Sequence, residues 1–215
     1  MGEGRVIILF DLDGTLIDST EAILESFHNS FDFYGVPHPK DSAIEALIGH
    51  PLDVMYRELG VQECVIWDYV ATYKEHYQKI STQKTVLLDS AREAVEKASQ
   101  FATLAVVTTK TGKYSRVLLE HFSLMHYFKV LIGREDVENP KPHAEPILKA
   151  LEELNLVDSD VWMIGDTQLD LVCAQNAGVN SIGVLSGYDT KETLKEFSEL
   201  IFDNALEAVE YLAQK

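Results

Sequence analysis

Residues 6–15, VIILFDLDGT, constrain this chain more than any other stretch. Five apolar residues, Val6 to Phe10, run unbroken into Asp11, Leu12 and Asp13, and Gly14 and Thr15 follow. An apolar run of this length reads as a strand buried on both faces, the kind found in parallel sheets covered by helices. Its carboxyl end sets two carboxylates at the rim of the sheet, where ligands reach an α/β fold. Two crowded carboxylates require a cation or a shared proton to coexist.

The rest of the chain alternates in the same sense. After residue 90, apolar strands are expected at 103–108, 129–132, 161–164, 181–185 and 200–202. Helical spacing is expected at 90–100, 113–121, 144–155, 168–177 and 204–213. Strand–helix alternation implies right-handed crossovers and a parallel sheet. Residues 18–83 read differently. Helical patterns at 20–34, 41–48, 51–59 and 62–80 are punctuated by Gly35, Pro37, Gly49, Pro51 and Gly60, with no convincing strand. The expected fold is therefore α/β, a Rossmann-like parallel-sheet core formed by residues 1–17 and 84–215. A helical cap domain, residues 18–83, is inserted after the first strand, with hinges near Leu16–Ser19 and Gln83–Asp89.

Size and charge narrow the function. A chain of 215 residues is long enough for a real core. Eighteen basic against 35 acidic residues leave a net charge of −17, which argues against nucleic acid or an anionic membrane as partner. An anionic substrate must then be drawn in by a local cationic site. No secretory leader or membrane span is read at the start of the chain, so the cytoplasm is the expected compartment. Cys64 and Cys173 lie far apart inside helical patterns and read as reduced core residues, not as a disulfide or a metal pair.

In such a sheet the informative residues are those just beyond each strand. These are Asp11 and Asp13 after the first and Thr108, Thr109 and Lys110 after TLAVV. Lys141 lies in NPKPHAEP, and Asp166 follows VWMIG with Asp170 one turn later. All should meet at one edge. Taken in order, DLDGT, a strand ending in Thr, Lys141 between prolines and GDTQLD resemble the motifs of the haloacid dehalogenase superfamily across essentially the whole chain.

The resemblance implies a magnesium-dependent phosphatase that works through an aspartyl phosphate. Asp11 would be the nucleophile, and Asp13 the acid that protonates the leaving group and then the base that activates water. Thr108 and Lys141 would bind the transferring oxygens. Mg2+ would be held by Asp11, Asp166 and the main-chain carbonyl of Asp13, with Asp170 orienting Lys141 or a metal water. Thr109 stands where the family often has Asn, with its N–H still able to meet phosphate. His143 and Ala144 stand where Asp and Pro often follow Pro142. Leu88-Asp89-Ser90 replaces a common Pro-Gly turn.

Asp13 argues against dehalogenation, whose halide leaving group needs no proton, and against a phosphonatase. Ile23, where related sugar phosphomutases carry a hinge histidine, argues against mutase activity. The loop Ile48–Leu52 resembles the family's specificity loop, with Gly49 and His50 as substrate contacts and Arg57 as a further cationic candidate. Lys110, in a Thr-x-Lys context, fits the phosphoglycolate phosphatase branch, which makes phosphoglycolate the first expected substrate. The alternatives are a pyrophosphatase, nucleotidase or sugar-phosphate phosphatase and, last, a catalytically silent binding protein. The expected partner is a small phosphorylated metabolite, with the chain a monomer or homodimer.

Overall fold

The structure, a computed structural model, describes residues 6–156 and 159–215. Its centre is a parallel six-stranded sheet in the order β5-β4-β1-β6-β7-β8. The strands are β1 (Val6–Phe10), β4 (Ala102–Val107), β5 (Phe128–Ile132), β6 (Asp160–Gly165), β7 (Asn180–Val184) and β8 (Ile201–Phe202). This is the expected Rossmann-like α/β fold. Each core strand lies within a residue or two of its sequence-based position.

β1 is the middle of the sheet, so its five side chains are covered from both faces. Ile8 and Phe10 pack toward α5 (Ala91–Ala98) and α10 (Ala205–Leu212), whose alanines allow close approach. Ile7 and Leu9 point to the other face, against Ile147 of α7 (Glu145–Leu154) and Cys173 and Ala174 of α8 (Gln168–Ala177). Fully burying one such aliphatic chain contributes about 1.5–3 kcal/mol. Phe10 is level with Val106 on one side and Ile164 on the other, so β1, β4 and β6 end together. That register brings their next residues to one rim.

Between β1 and α5 run four α-helices: α1 (Thr20–Phe33), α2 (Asp41–Glu45), α3 (Leu52–Glu58) and α4 (Ile66–Ile80). They enclose their own apolar cluster, built on Phe27, Phe31, Tyr56, Tyr69 and Tyr73. The Phe27 and Tyr56 rings lie 4.6 Å apart. The chain enters this segment through β2 (Ile17–Asp18) and leaves it through β3 (Val86–Leu87), which pair antiparallel. These two short strands were not expected. Two-residue strands carry no periodicity to read. A short helix, α9 (Lys191–Lys195), was likewise unanticipated. Cys173 is buried as expected, but Cys64 is exposed and not a core residue, because it lies in a short turn (Glu63–Val65) ahead of α4; both are unbridged. Among the described residues no helix is long and apolar enough to cross a membrane.

Candidate active site

The rim where β1, β4 and β6 end holds the residues expected there. Asp11, Thr108, Lys141, Asp166 and Asp170 are all buried, and Asp13 nearly so. They fall into two groups.

The first group is built on carboxylates. Oxygens of Asp11, Asp166 and Asp170 lie within 4.8 Å of one another. Thr15 Oγ1 donates to Asp166 Oδ1 at 2.9 Å, and the Tyr188 N–H donates to Asp166 Oδ2 at 3.0 Å. Thr167 caps α8 and donates through both its N–H and its hydroxyl to Asp170 Oδ2, at 3.1 and 2.8 Å. Lys141 then ties the group together, donating to Asp170 Oδ1 and, at 3.1 Å, to the Val107 carbonyl.

Lys141 Nζ also stands 2.9 Å from Asp11 Oδ1. This is a charge contact and not an aligned hydrogen bond, for Asp11 Oδ1 is buried without a hydrogen bond from any described residue. Burial, then the Asp170 charge, pushes the Asp11 carboxyl up to about 7 against the pull of Lys141. Asp166 is raised for the same two reasons. Burial would lower the Lys141 ammonium, but Asp11 and Asp170 together outweigh it and hold it protonated.

Three carboxylates against one ammonium leave two formal negative charges in a dry pocket. Uncompensated buried charge costs several kcal/mol, about 3–5 when one partner of a pair is missing. The donor set is all oxygen, one oxygen has no hydrogen bond, and the deficit equals one divalent cation. The residues therefore fit Mg2+ or a similar hard ion. Two glycines make the space. A Cβ on Gly14, whose φ is +81°, would lie 2.2 Å from Asp166 Oδ2, and one on Gly187 would lie 1.9 Å from it.

The second group surrounds Asp13. Ser19 donates to Asp13 Oδ1, and Lys110 Nζ lies 2.8 Å from Asp13 Oδ2. Lys110 also sits 4.8 Å from the centre of the Tyr77 ring. Burial opposes its charge, but Asp13 more than compensates, and its pKa stands above the ordinary lysine value. The Thr108 hydroxyl accepts from the Lys110 N–H at 3.2 Å.

Thr109 turns the other way. Its hydroxyl donates at 2.7 Å to the carbonyl of Gly49, in the loop between α2 and α3. Gly49 has φ +106°, and a Cβ there would come within 3.3 Å of Thr167 Cγ2. His50 lines the cavity beside this loop. Arg57 does not belong here: it makes an ion pair with Glu63 at 2.9 Å on the exposed surface and is not part of the cavity wall. An i+6 acid across the α3 turn captures it, a competitor that sequence inspection did not weigh. Missed altogether were Ser19, Thr15, Gly187 and Tyr188. Thr15 stood inside the first motif, but the other three carry no spacing signal of their own.

Residues 8–184 match the sequence profile of the family described as haloacid dehalogenase-like hydrolase. The chain belongs to that family. A pyrophosphatase, PpaX, of Halalkalibacterium halodurans is 33% identical over 88% of this chain and 88% of its own length. A phosphoglycolate phosphatase of Colwellia psychrerythraea is 29% identical over 90% of each. Among solved structures, one titled as a predicted phosphatase from Clostridium acetobutylicum superposes with a TM-score of 0.89 at 27% identity, covering 99% of this chain and 100% of that one. That superposition takes in the parallel sheet and the helical segment that follows β1 alike.

Proposed function

We propose that this chain is a magnesium-dependent phosphatase that hydrolyses a small phosphate ester through a phosphoaspartate on Asp11. The observation that carries the reading is the charge deficit at the end of β1: three carboxylates, one ammonium and one carboxylate oxygen without a hydrogen bond. The similarity to phosphatases and a pyrophosphatase supports the same chemistry.

Asp11 and Asp166 would hold the ion with their carboxylates and Asp13 with its main-chain carbonyl. Bound there, magnesium supplies the positive charge that lets a phosphate group approach a carboxylate. An Asp11 oxygen attacks phosphorus in line, the bond to the ester oxygen breaks, and the alcohol leaves with a proton from Asp13. Asp13 then takes a proton from water. The water oxygen bonds to phosphorus, the bond to Asp11 breaks, and inorganic phosphate departs. Lys141 stabilises charge on the transferring oxygens and is itself fixed by Asp170. Thr108 and the Thr109 N–H are the remaining candidates to meet those oxygens, with Lys110 placed to hold Asp13.

The reading includes a division of labour in which residues 18–83 act as a cap over a core formed by 1–17 and 84–215. The separate apolar cluster of α1–α4 supports it, as does the pairing of β2 with β3 at the junction. The Thr109–Gly49 hydrogen bond supports a cap loop that bears on the phosphate site.

The direct test is phosphate release from p-nitrophenyl phosphate and a panel of phosphate metabolites, including phosphoglycolate, pyrophosphate and nucleotides. Activity should need magnesium and vanish with a chelator. Release that persists in the metal-free protein would overturn the mechanism, and no release from any ester would overturn the function.

Asp13→Asn separates the two half-roles of that residue. Turnover of an alkyl phosphate should fall by about two to four orders of magnitude, the usual worth of general acid–base help. An aryl phosphate, whose leaving group needs little protonation, should lose less in the first step. Equal losses measured for both would mean that the substitution acts through the metal or through the freed Lys110.

Gly49→Val tests the cap loop. A β-branched residue at φ +106° costs on the order of 1–3 kcal/mol of strain, and its Cβ would crowd Thr167, which holds Asp170. The loop should shift and lose its bond to Thr109. A fall of about tenfold in kcat/KM is expected, with a smaller one for Gly49→Ala. Unaltered kinetics for every ester tried would remove the loop from substrate recognition.

A further inference from the structure

A cavity of about 220 Å³ lies between the helical segment and the rim of the sheet. Asp13 is part of its wall, but Asp11, Asp166 and Lys141 are not. It therefore adjoins the phosphate site on the side where the leaving group departs. From Asp13 the wall follows one stripe of α4, Trp67, Val70, Lys74 and Tyr77, spaced three, four and three residues apart. Tyr114, at the start of α6 (Gly112–His121), closes the other side. Its ring is 5.7 Å from Tyr77, and its hydroxyl donates to the Lys74 carbonyl at 3.3 Å.

The wall is of mixed character: His50, Asp53, Lys110, Arg134 and Glu135 share it with Trp67, Val70, Tyr77 and Tyr114. A two-carbon acid or pyrophosphate held by the charged groups near Asp11 would leave the aromatic part of this 220 Å³ cavity unfilled. Trp67 is 63% exposed although it belongs to this wall, an apolar surface left open beside a catalytic site. Lys74 is half-buried on the same stripe and makes no ion pair among the described residues, so a cation faces the cavity where a π-system or a ring acceptor would receive it.

We infer that the alcohol of the substrate carries a planar ring that fills this cavity against Trp67. The preferred substrates are then ring-bearing phosphate monoesters, nucleoside 5′-phosphates among them. This rests on the phosphatase reading above and adds the class of leaving group. Stacking a base on an aromatic side chain changes affinity by about five- to a hundredfold when that side chain is cut to alanine.

The experiment compares esters that share a primary-alcohol leaving group and differ by a ring. The pairs are adenosine 5′-phosphate with ribose 5-phosphate, and benzyl phosphate with ethyl phosphate, each given to the full chain with magnesium. At least tenfold higher kcat/KM is expected for the ring-bearing member of one pair or both. Trp67→Ala should cut that advantage about tenfold, mainly through KM, and the exposure of Trp67 means that the variant should fold. Equal kcat/KM within both pairs, or an advantage that Trp67→Ala leaves intact, would overturn the inference while ester hydrolysis itself stood. If no ester were hydrolysed, the phosphatase reading would fail separately. Binding then decides the ring site: adenosine 5′-phosphate should quench the Trp67 fluorescence of the Asp11→Asn protein, and absence of quenching would overturn it.

Discussion

Asp11→Asn is expected to abolish turnover, by about four orders of magnitude or more, and at the same time to raise the melting temperature of the metal-free protein. The first effect follows from the loss of the nucleophile. An amide oxygen does not form the phosphoenzyme, and the remaining groups act as a unit with Asp11, so little activity should survive. The second follows from charge. Asp11 is buried beside Asp170 and Asp166, and its carboxyl is raised because burial, and after it the Asp170 charge, disfavours its ionised form. An amide of the same shape relieves that repulsion, while Lys141 keeps its bonds to Asp170 and the Val107 carbonyl. Function and stability should therefore move in opposite directions, as at sites that hold strain for chemistry. Thermal melts in chelator alongside phosphate-release assays provide the check. Beryllofluoride should bind the wild type at Asp11 and not the variant. Full activity in Asp11→Asn would end the covalent mechanism.

Gly187→Val is expected to be nearly as damaging, although Gly187 makes no hydrogen bond in the chemistry. Its Cβ would fall 1.9 Å from Asp166 Oδ2 and 2.3 Å from Cγ. No rotamer relieves that collision, because Asp166 is held by Thr15 on one oxygen and by the Tyr188 N–H on the other. Either the carboxylate or the Ser186–Tyr188 backbone must move, and both shape the proposed ion site. Disturbing the groups that orient a metal ligand typically costs ten- to a hundredfold in metal affinity. Titration of activity with magnesium should show a shift of at least that size, with excess ion restoring part of the rate. An unchanged magnesium requirement would mean that Asp166 is not a ligand.

The contrast between these two positions shows what the sequence made legible. Asp11, Asp13 and Asp166 could be read because parallel strands of matched register deliver their next residues to one rim, and Lys141 because it stands between two prolines in the loop that leads from β5 to α7. Gly187 and Tyr188 also follow a strand, β7. Their part is a close approach and a main-chain N–H, neither of which leaves a side-chain signature. Trp67 and Lys74 were hidden for a different reason. The strongest periodicity in α4 runs through Ile66, Tyr69, Val70, Tyr73 and Tyr77 and points into the helical cluster. Trp67 and Lys74 lie at the margin of that face, where Val70 and Tyr77 border the cavity, and their mixed polarity reads as solvent-exposed. Arg57, a further cationic candidate near the loop, pairs instead with Glu63 on the exposed surface.

The pairing of β2 with β3 has an evolutionary side. Ile17 is level with Leu87 and Asp18 with Val86, so the chain leaves the sheet and returns to it through adjacent residues. About seventy residues can thus be lengthened, shortened or exchanged while the two attachment points stay a hydrogen bond apart, and the entropy of closing the loop between them changes only slowly with its length. Asp11, Asp13, Asp166 and Asp170 lie outside that interval, and Trp67, Tyr73 and Tyr77 of the cavity wall lie inside it. On the proposed function, selection can thus revise which molecules are dephosphorylated in one cassette without touching the residues proposed to break the bond. This offers a physical route by which one catalytic sheet comes to serve many metabolites.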